Sequence, residues 1–302
     1  MNKIFQNPNR INWIDELKGF ILILVCLGHT NINIPFWGGG NLIVVCVAFR
    51  MSTFFFLSGL LFSTRRYSDI DSYIKHKTKV LLIPYILLSL LFSILDPRLY
   101  DLSLIEKHSY INSFISSSDI NTNIDFLIYE FISIFYWGIP ITAGPLWFVI
   151  TLYFVSILFY IIHNIFKSNI IIIVVYAVVC LIIGWLLNLY TLYLPYCFST
   201  VFTASFFFSL GFLTKNRIKY LGAINEVKLS IIIIFLMLIY IYAININGGI
   251  SLTFNKLGNS FWGYILSTVS GIFLIISIFI FINKFINNSI MQGVSLLSRK
   301  SG

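Results

Sequence analysis

The stretch KGFILILVCLGH, residues 18–29, decides the fold class. Its apolar core, Phe20–Leu27, lies between a lysine and a histidine. Eleven helical steps of about 100° bring His29 back to within roughly 20° of Lys18, so the two share one face about three turns apart. Their separation along the axis is about 16 Å, half the thickness of a bilayer core. A cation near one interface and an imidazole deeper in the same helix are costly in lipid, and such residues usually mark a functional path. The plainer alternative is that Lys18 snorkels to the headgroups and His29 caps the outer end.

The rest of the chain extends that first helix into many. Of 302 residues, 58% are hydrophobic and only 10% are charged, where a soluble domain carries about 25%. The mean hydropathy is +0.91, and the expectation is a polytopic membrane protein with membrane lipid as its surroundings. The net charge of +9 does not point to nucleic acid, because the basic residues fall in short segments between apolar runs. Cys26, Cys46, Cys180 and Cys197 sit in apolar segments without metal-ligand spacing and read as small hydrophobes. Lys3 and Arg10 precede an apolar stretch as in a signal sequence, but no small-residue cleavage site follows. The first span is therefore expected to be retained.

Eight segments are long enough to cross: approximately 12–30, 41–63, 80–95, 145–166, 169–189, 197–214, 229–247 and 261–283. The third is short and has room to extend inward past Lys79. A ninth, 124–141, carries Glu130 and ends Gly138–Ile139–Pro140; it is open to spanning, re-entering or lying in the interface. Strand periodicity is absent, which argues against an outer-membrane barrel. Segment 64–79 holds Arg65, Arg66, Lys75, Lys77 and Lys79 and is expected to be cytoplasmic, with the N-terminus on the same side. If 124–141 does not cross, segment 215–228 with Lys215, Arg217, Lys219 and Lys228 also falls inside, and the positive-inside rule favours that count of eight.

A few residues stand out as chemistry. His29 can accept a proton near neutral pH and so activate a hydroxyl. Asp15, three residues before Lys18, either pairs with it or keeps it charged for an anionic ligand. Arg50 sits near the middle of the second span, where it costs a few kcal/mol at least and needs a partner or a wet cavity. Glu130 is one candidate partner; the other reading is an anchor for a phosphate or carbonyl oxygen. Lys75, Lys77 and Lys79 are either a topology signal or a cytosolic docking site for a phosphate-rich cofactor. Gly144–Pro145–Leu146–Trp147–Phe148 reads as an ordinary helix start. His163 reads as interfacial. No glycine-rich phosphate loop, nucleophile elbow or metal-ligand set is present, so no metal is expected.

Taken in order, four stretches resemble the integral-membrane acyltransferase 3 family. Trp13–Lys18–Gly19 with Gly28–His29 resembles its opening helix, in which a basic residue, ten others and a histidine form a signature. Met51–Gly59 resembles its Phe-rich second helix ending in Ser-Gly, and Lys75–Lys79 through Ile83–Pro84–Tyr85 its basic stretch before Pro-Tyr. Pro145–Leu146–Trp147–Phe148 resembles its Pro-Leu-Trp-Phe helix start. The chain departs from the family in having Lys18 where many members have Arg, in placing Arg50 where another polar residue is common, and in using Lys rather than paired Arg in the basic stretch. Ser298–Gly302 looks like the turn before the family's last helix, so the chain reads as truncated or frameshifted.

The resemblance implies an all-α, polytopic transmembrane helical bundle of about eight to ten helices, forming one acyltransferase-like domain over 1–302 that lacks the final helix. It implies a multi-pass protein of the cell (inner) membrane, with the N-terminus cytoplasmic. The implied reaction is O-acyl transfer, acetyl above all, from cytoplasmic acetyl-CoA to a hydroxyl of a surface polysaccharide or lipid-linked sugar. In that scheme His29, as base or as brief carrier of the acyl group, and Arg50, as oxyanion partner, are catalytic, while Lys18, Lys75, Lys77 and Lys79 bind the donor's phosphates. The rivals are a transporter or flippase of lipid-linked sugars, weakened by the absence of repeated halves, and an inactive truncated remnant.

Overall fold

The computed structural model describes residues 12–29, 35–36, 40–65, 67, 69–102, 123–221 and 223–285. Its helices follow the apolar runs. They are α1 (Asn12–Leu27), α2 (Leu42–Leu60), α3 (Ile70–Lys77), α4 (Ile83–Asp101), α5 (Asn123–Ile132), α6 (Trp147–Ile165), α7 (Ile170–Leu189), α8 (Phe198–Leu221), α9 (Glu226–Asn247) and α10 (Phe261–Phe285). A two-residue antiparallel bridge, Pro35–Phe36 with Gly40–Asn41, is the extended structure among the described residues. The fold is thus an all-α polytopic bundle. Among the described residues six helices are long and apolar enough to cross a membrane, and Cys46–Leu60 is a shorter apolar one. The reading of the chain end rests on residues outside those described.

Local structure sets three boundaries, the last of them against the sequence expectation. The third span does extend inward: α3 and α4 join through a π-helical stretch, Thr78–Leu82, into one helix. Asp69 starts it with a capping box, its Oδ1 accepting from Ser72 N at 2.7 Å. The stretch 124–141 is α5 plus a π-helical turn, Ser133–Trp137, stopped by Gly138 in the left-handed conformation. At 1.5 Å per residue that rises about 22 Å, short of a bilayer core. Finally, α1 ends at Leu27, so His29 lies in a turn beyond the helix rather than on its face.

The chain packs as two compact units: residues 1–61, 211–251 and 257–302 in the first, and 62–210 with 252–256 in the second. In the first unit α10 lies against α9, α2 and α1. Gly271 lets the helices approach: a Cβ there would stand 2.8 Å from Phe49 Cβ and 2.9 Å from Tyr240 Cε2. Small residues allow this closeness where lipid offers no hydrophobic drive to associate. Phe56 meets Phe273 edge-on at 5.7 Å, and Asn283 Nδ2 donates to Glu16 Oε2 at 3.2 Å, tying α10 to α1. The opposite face of α9 presents Ile231, Ile234, Phe235, Leu238 and Tyr242, all exposed. Their helical spacing makes one apolar stripe suited to lipid.

In the second unit Phe62 lies within a ring cluster. It is 4.9 Å from Phe159 and edge-on to Tyr73, Tyr160, His163 and Phe208. Tyr73 of α3 stacks on Tyr160 of α6 at 4.1 Å. Asn255 joins α7 to α8, donating to Gly184 O at 2.8 Å and accepting from Thr203 Oγ1 at 2.7 Å. Polar side chains inside a membrane bundle have to satisfy one another, and these do.

Candidate functional site

In the first unit the site forms where α1 stops. A 16-residue helix rises about 24 Å, less than the roughly 30 Å of a bilayer core. If its first turn sits at one interface, its last carbonyls are left at membrane depth, where they need a donor. Arg50 brings a charged donor to this end: its Nη1 donates to Leu24 O at 2.9 Å, a second bond on an oxygen that already accepts from Gly28 N at 3.0 Å. The guanidinium lies at the negative end of the α1 dipole, where a cation is favoured. This accounts for an arginine in the middle of α2.

His29 follows within one residue. Its backbone N donates to Cys26 O at 3.0 Å, its side chain is exposed, and it feels the charge of Arg50. Arg50 is only partly consumed by its capping role. A guanidinium has five N–H donors, and Nε is buried with no hydrogen-bond partner among the described residues. The structure therefore brings together Arg50, Gly28 and the residue that carries the imidazole. Lys18 is half-buried on α1. Sequence reasoning singled out His29 and Arg50 but missed the seat between them. The glycine directly before the histidine was the available signal.

The lysine cluster belongs to the second unit, and its helix divides it. Lys75 and Lys79 are four residues apart and share a face. Both are exposed. Lys77 turns the other way, half-buried, with Nζ 5.5 Å from the centre of the Tyr73 ring, a cation–π distance. The cluster spans the junction into the π-helical stretch, where Thr78 Oγ1 and Tyr153 OH share a hydrogen bond of 3.1 Å. Such π segments are rare and often found at functional sites. Nothing in the residue types announced it.

Glu130, a possible partner for Arg50 by sequence, is fully buried and has its own donors in the second unit. Its carboxylate accepts from Ile141 N at 2.7 Å, Thr142 Oγ1 at 2.8 Å, Ser93 Oγ at 3.1 Å and Thr142 N at 3.4 Å. These bonds fold the loop after Gly138 back along α5 and set the start of α6 at Gly144–Leu146. A second tie runs from Tyr85 OH to Ile134 O at 2.9 Å. Beside this loop the backbone is strained at Tyr196 and Cys197, both at positive φ, with Cys197 Sγ against the carbonyls of Trp137 and Gly138.

Comparison with known proteins gives one match. A family model described as an acyltransferase domain, that of the acyltransferase 3 family, aligns with residues 11–298. No curated protein matches, and no solved structure matches.

Proposed function

Because the chain belongs to the acyltransferase 3 family and is a multi-pass membrane acyltransferase, we propose that it moves an acetyl group from cytoplasmic acetyl-CoA to a hydroxyl of a surface polysaccharide or lipid-linked sugar. The observation that carries this reading is the guanidinium fixed at the end of α1, one residue from His29. His29 takes the proton of the acceptor hydroxyl as its oxygen bonds to the thioester carbonyl carbon. Arg50 stabilises the charge that develops on the carbonyl oxygen, for which its unpartnered Nε is suited. The carbon–sulfur bond then breaks, and the proton returns to the leaving CoA thiolate. Lys75 and Lys79, exposed on one helix face, suit the donor's phosphates better than Lys77 does.

The basic ends support an orientation with the N-terminus and residues 64–79 in the cytoplasm of a cell (inner) membrane. The decisive experiment compares surface glycans by mass spectrometry in cells with the wild-type gene, without it, and with His29→Ala. An acetyl-sized increment is expected in the wild type alone, with the variant inserted at normal levels. Unchanged acetylation by His29→Ala would remove the histidine from the mechanism. An unaltered glycan with transport lost would favour a flippase.

A further inference from the structure

We propose that Gly28 is a positioning residue, the seat that fixes the Arg50 guanidinium beside His29; its role in catalysis rests on the acyltransferase reading above. Gly28 is not among the glycines held at positive φ, which are Gly138, Gly248 and Gly258, so its backbone would accept alanine without strain. What a Cβ would meet is decisive. The three nearest atoms all belong to Arg50: Nη1, in overlap, then Cζ at 2.9 Å and Nη2 at 3.1 Å. Gly211 and Gly271 differ, for they face the backbone or rings of neighbouring helices, as glycines at helix crossings do. Gly28 faces one cation.

The consequence follows from the chemistry of that cation. Any side chain at position 28 displaces the guanidinium, because the tip of a flexible arginine yields before a helix does. The Nη1 bond to Leu24 O is then lost, and the carbonyl end of α1 loses its cap. With it goes the fixed placement of the spare Nε donor relative to the turn carrying His29. Small displacements at a reacting centre lose large factors in rate, while the lysines proposed for the donor's phosphates are unchanged by the substitution.

Two readouts on the full chain in lipid nanodiscs test this. The first is labelling of Arg50 by phenylglyoxal, mapped by peptide mass spectrometry. Gly28→Ala is expected to raise the labelling rate about tenfold or more; equal protection in wild type and variant would overturn the seat. The second is acetyl-CoA turnover with glycan-bearing membranes as acceptor. Gly28→Ala is expected to lower kcat at least about tenfold with the KM for acetyl-CoA within about twofold. In an Arg50→Lys background, which lacks the planar fork, the same change is expected to cost less than about twofold. A freed Arg50 with wild-type kcat, or an equal loss in both backgrounds, would show a merely structural glycine. A wild type that labels as expected but transfers no acetyl group would end the acyltransferase mechanism while leaving the seat established.

Discussion

Arg50 carries two demands at once. It caps α1 through Nη1 and keeps Nε unpaired. A lysine can answer the first as a point charge but cannot place a second, coplanar donor. Arg50→Lys is therefore expected to keep the fold and lose roughly 10²-fold in kcat, the size of effect seen when one oxyanion donor is removed. Arg50→Leu should lose activity and also about 1–3 kcal/mol of stability, because the charge-assisted bond to Leu24 O is lost, although that oxygen keeps its bond from Gly28 N. Thermal unfolding and single-turnover kinetics on both variants separate the two roles. If Arg50→Lys turns over like wild type, Arg50 is a cap and nothing more. At this scale the sequence was half legible. The cost of an arginine among Phe49 and Phe54–Phe56 could be read from composition, whereas its partner, a backbone oxygen 26 positions earlier, has no residue-type signature. The same blindness explains α1. Its apolar run continues smoothly to Leu27, so only the tertiary contact shows that His29 lies beyond the helix.

Helices were legible wherever an apolar run met a capping residue. Asn169 caps α7 by accepting from Ile171 N at 2.9 Å, and Asn225 caps α9 by accepting from Val227 N at 3.0 Å. The helix through the basic stretch was less so, since Ser72–Lys79 is polar and alternates lysine with other residues. Helical spacing then converts that alternation into two faces. Lys75 and Lys79 face out, and Lys77 packs on Tyr73. Lys75→Gln with Lys79→Gln is expected to raise the KM for acetyl-CoA about tenfold at low salt, and less at high salt, where exposed charges are screened. Lys77→Gln is expected to change that KM little and to cost about 0.5–1 kcal/mol of stability through the lost ring contact. Steady-state kinetics at two ionic strengths decide the matter. Equal effects from all three positions would mean that the helix faces do not sort the lysines.

For the whole molecule the open question from sequence was the number of crossings, and it turned on 124–141. Composition alone left that stretch undecided, because an apolar run of this length serves equally well to span or to re-enter. The described residues bear on that choice. α5 and its π-helical turn are short of a bilayer core, and Gly138 ends them. The chain then returns to hydrogen-bond Glu130 through Ile141 and Thr142. A segment that doubles back on itself is expected to add no crossing, and the expectation of eight spans rests on that. α8, at 24 residues, rises about 36 Å, longer than a bilayer core of about 30 Å, and Lys215 and Arg217 stand in its last two turns, near that far interface. If 124–141 adds no crossing, the positive-inside rule predicts that Lys215 and Arg217 face the cytoplasm. The expected result, in a cysteine-free background, is that Asn216→Cys resists a membrane-impermeant thiol reagent applied outside and reacts once the membrane is opened. Asn216 is exposed, so failure to label from outside cannot be ascribed to burial in the protein. Labelling of that cysteine in intact cells would mean that 124–141 crosses after all, and would move Lys215 and Arg217 to the outer face against the charge rule.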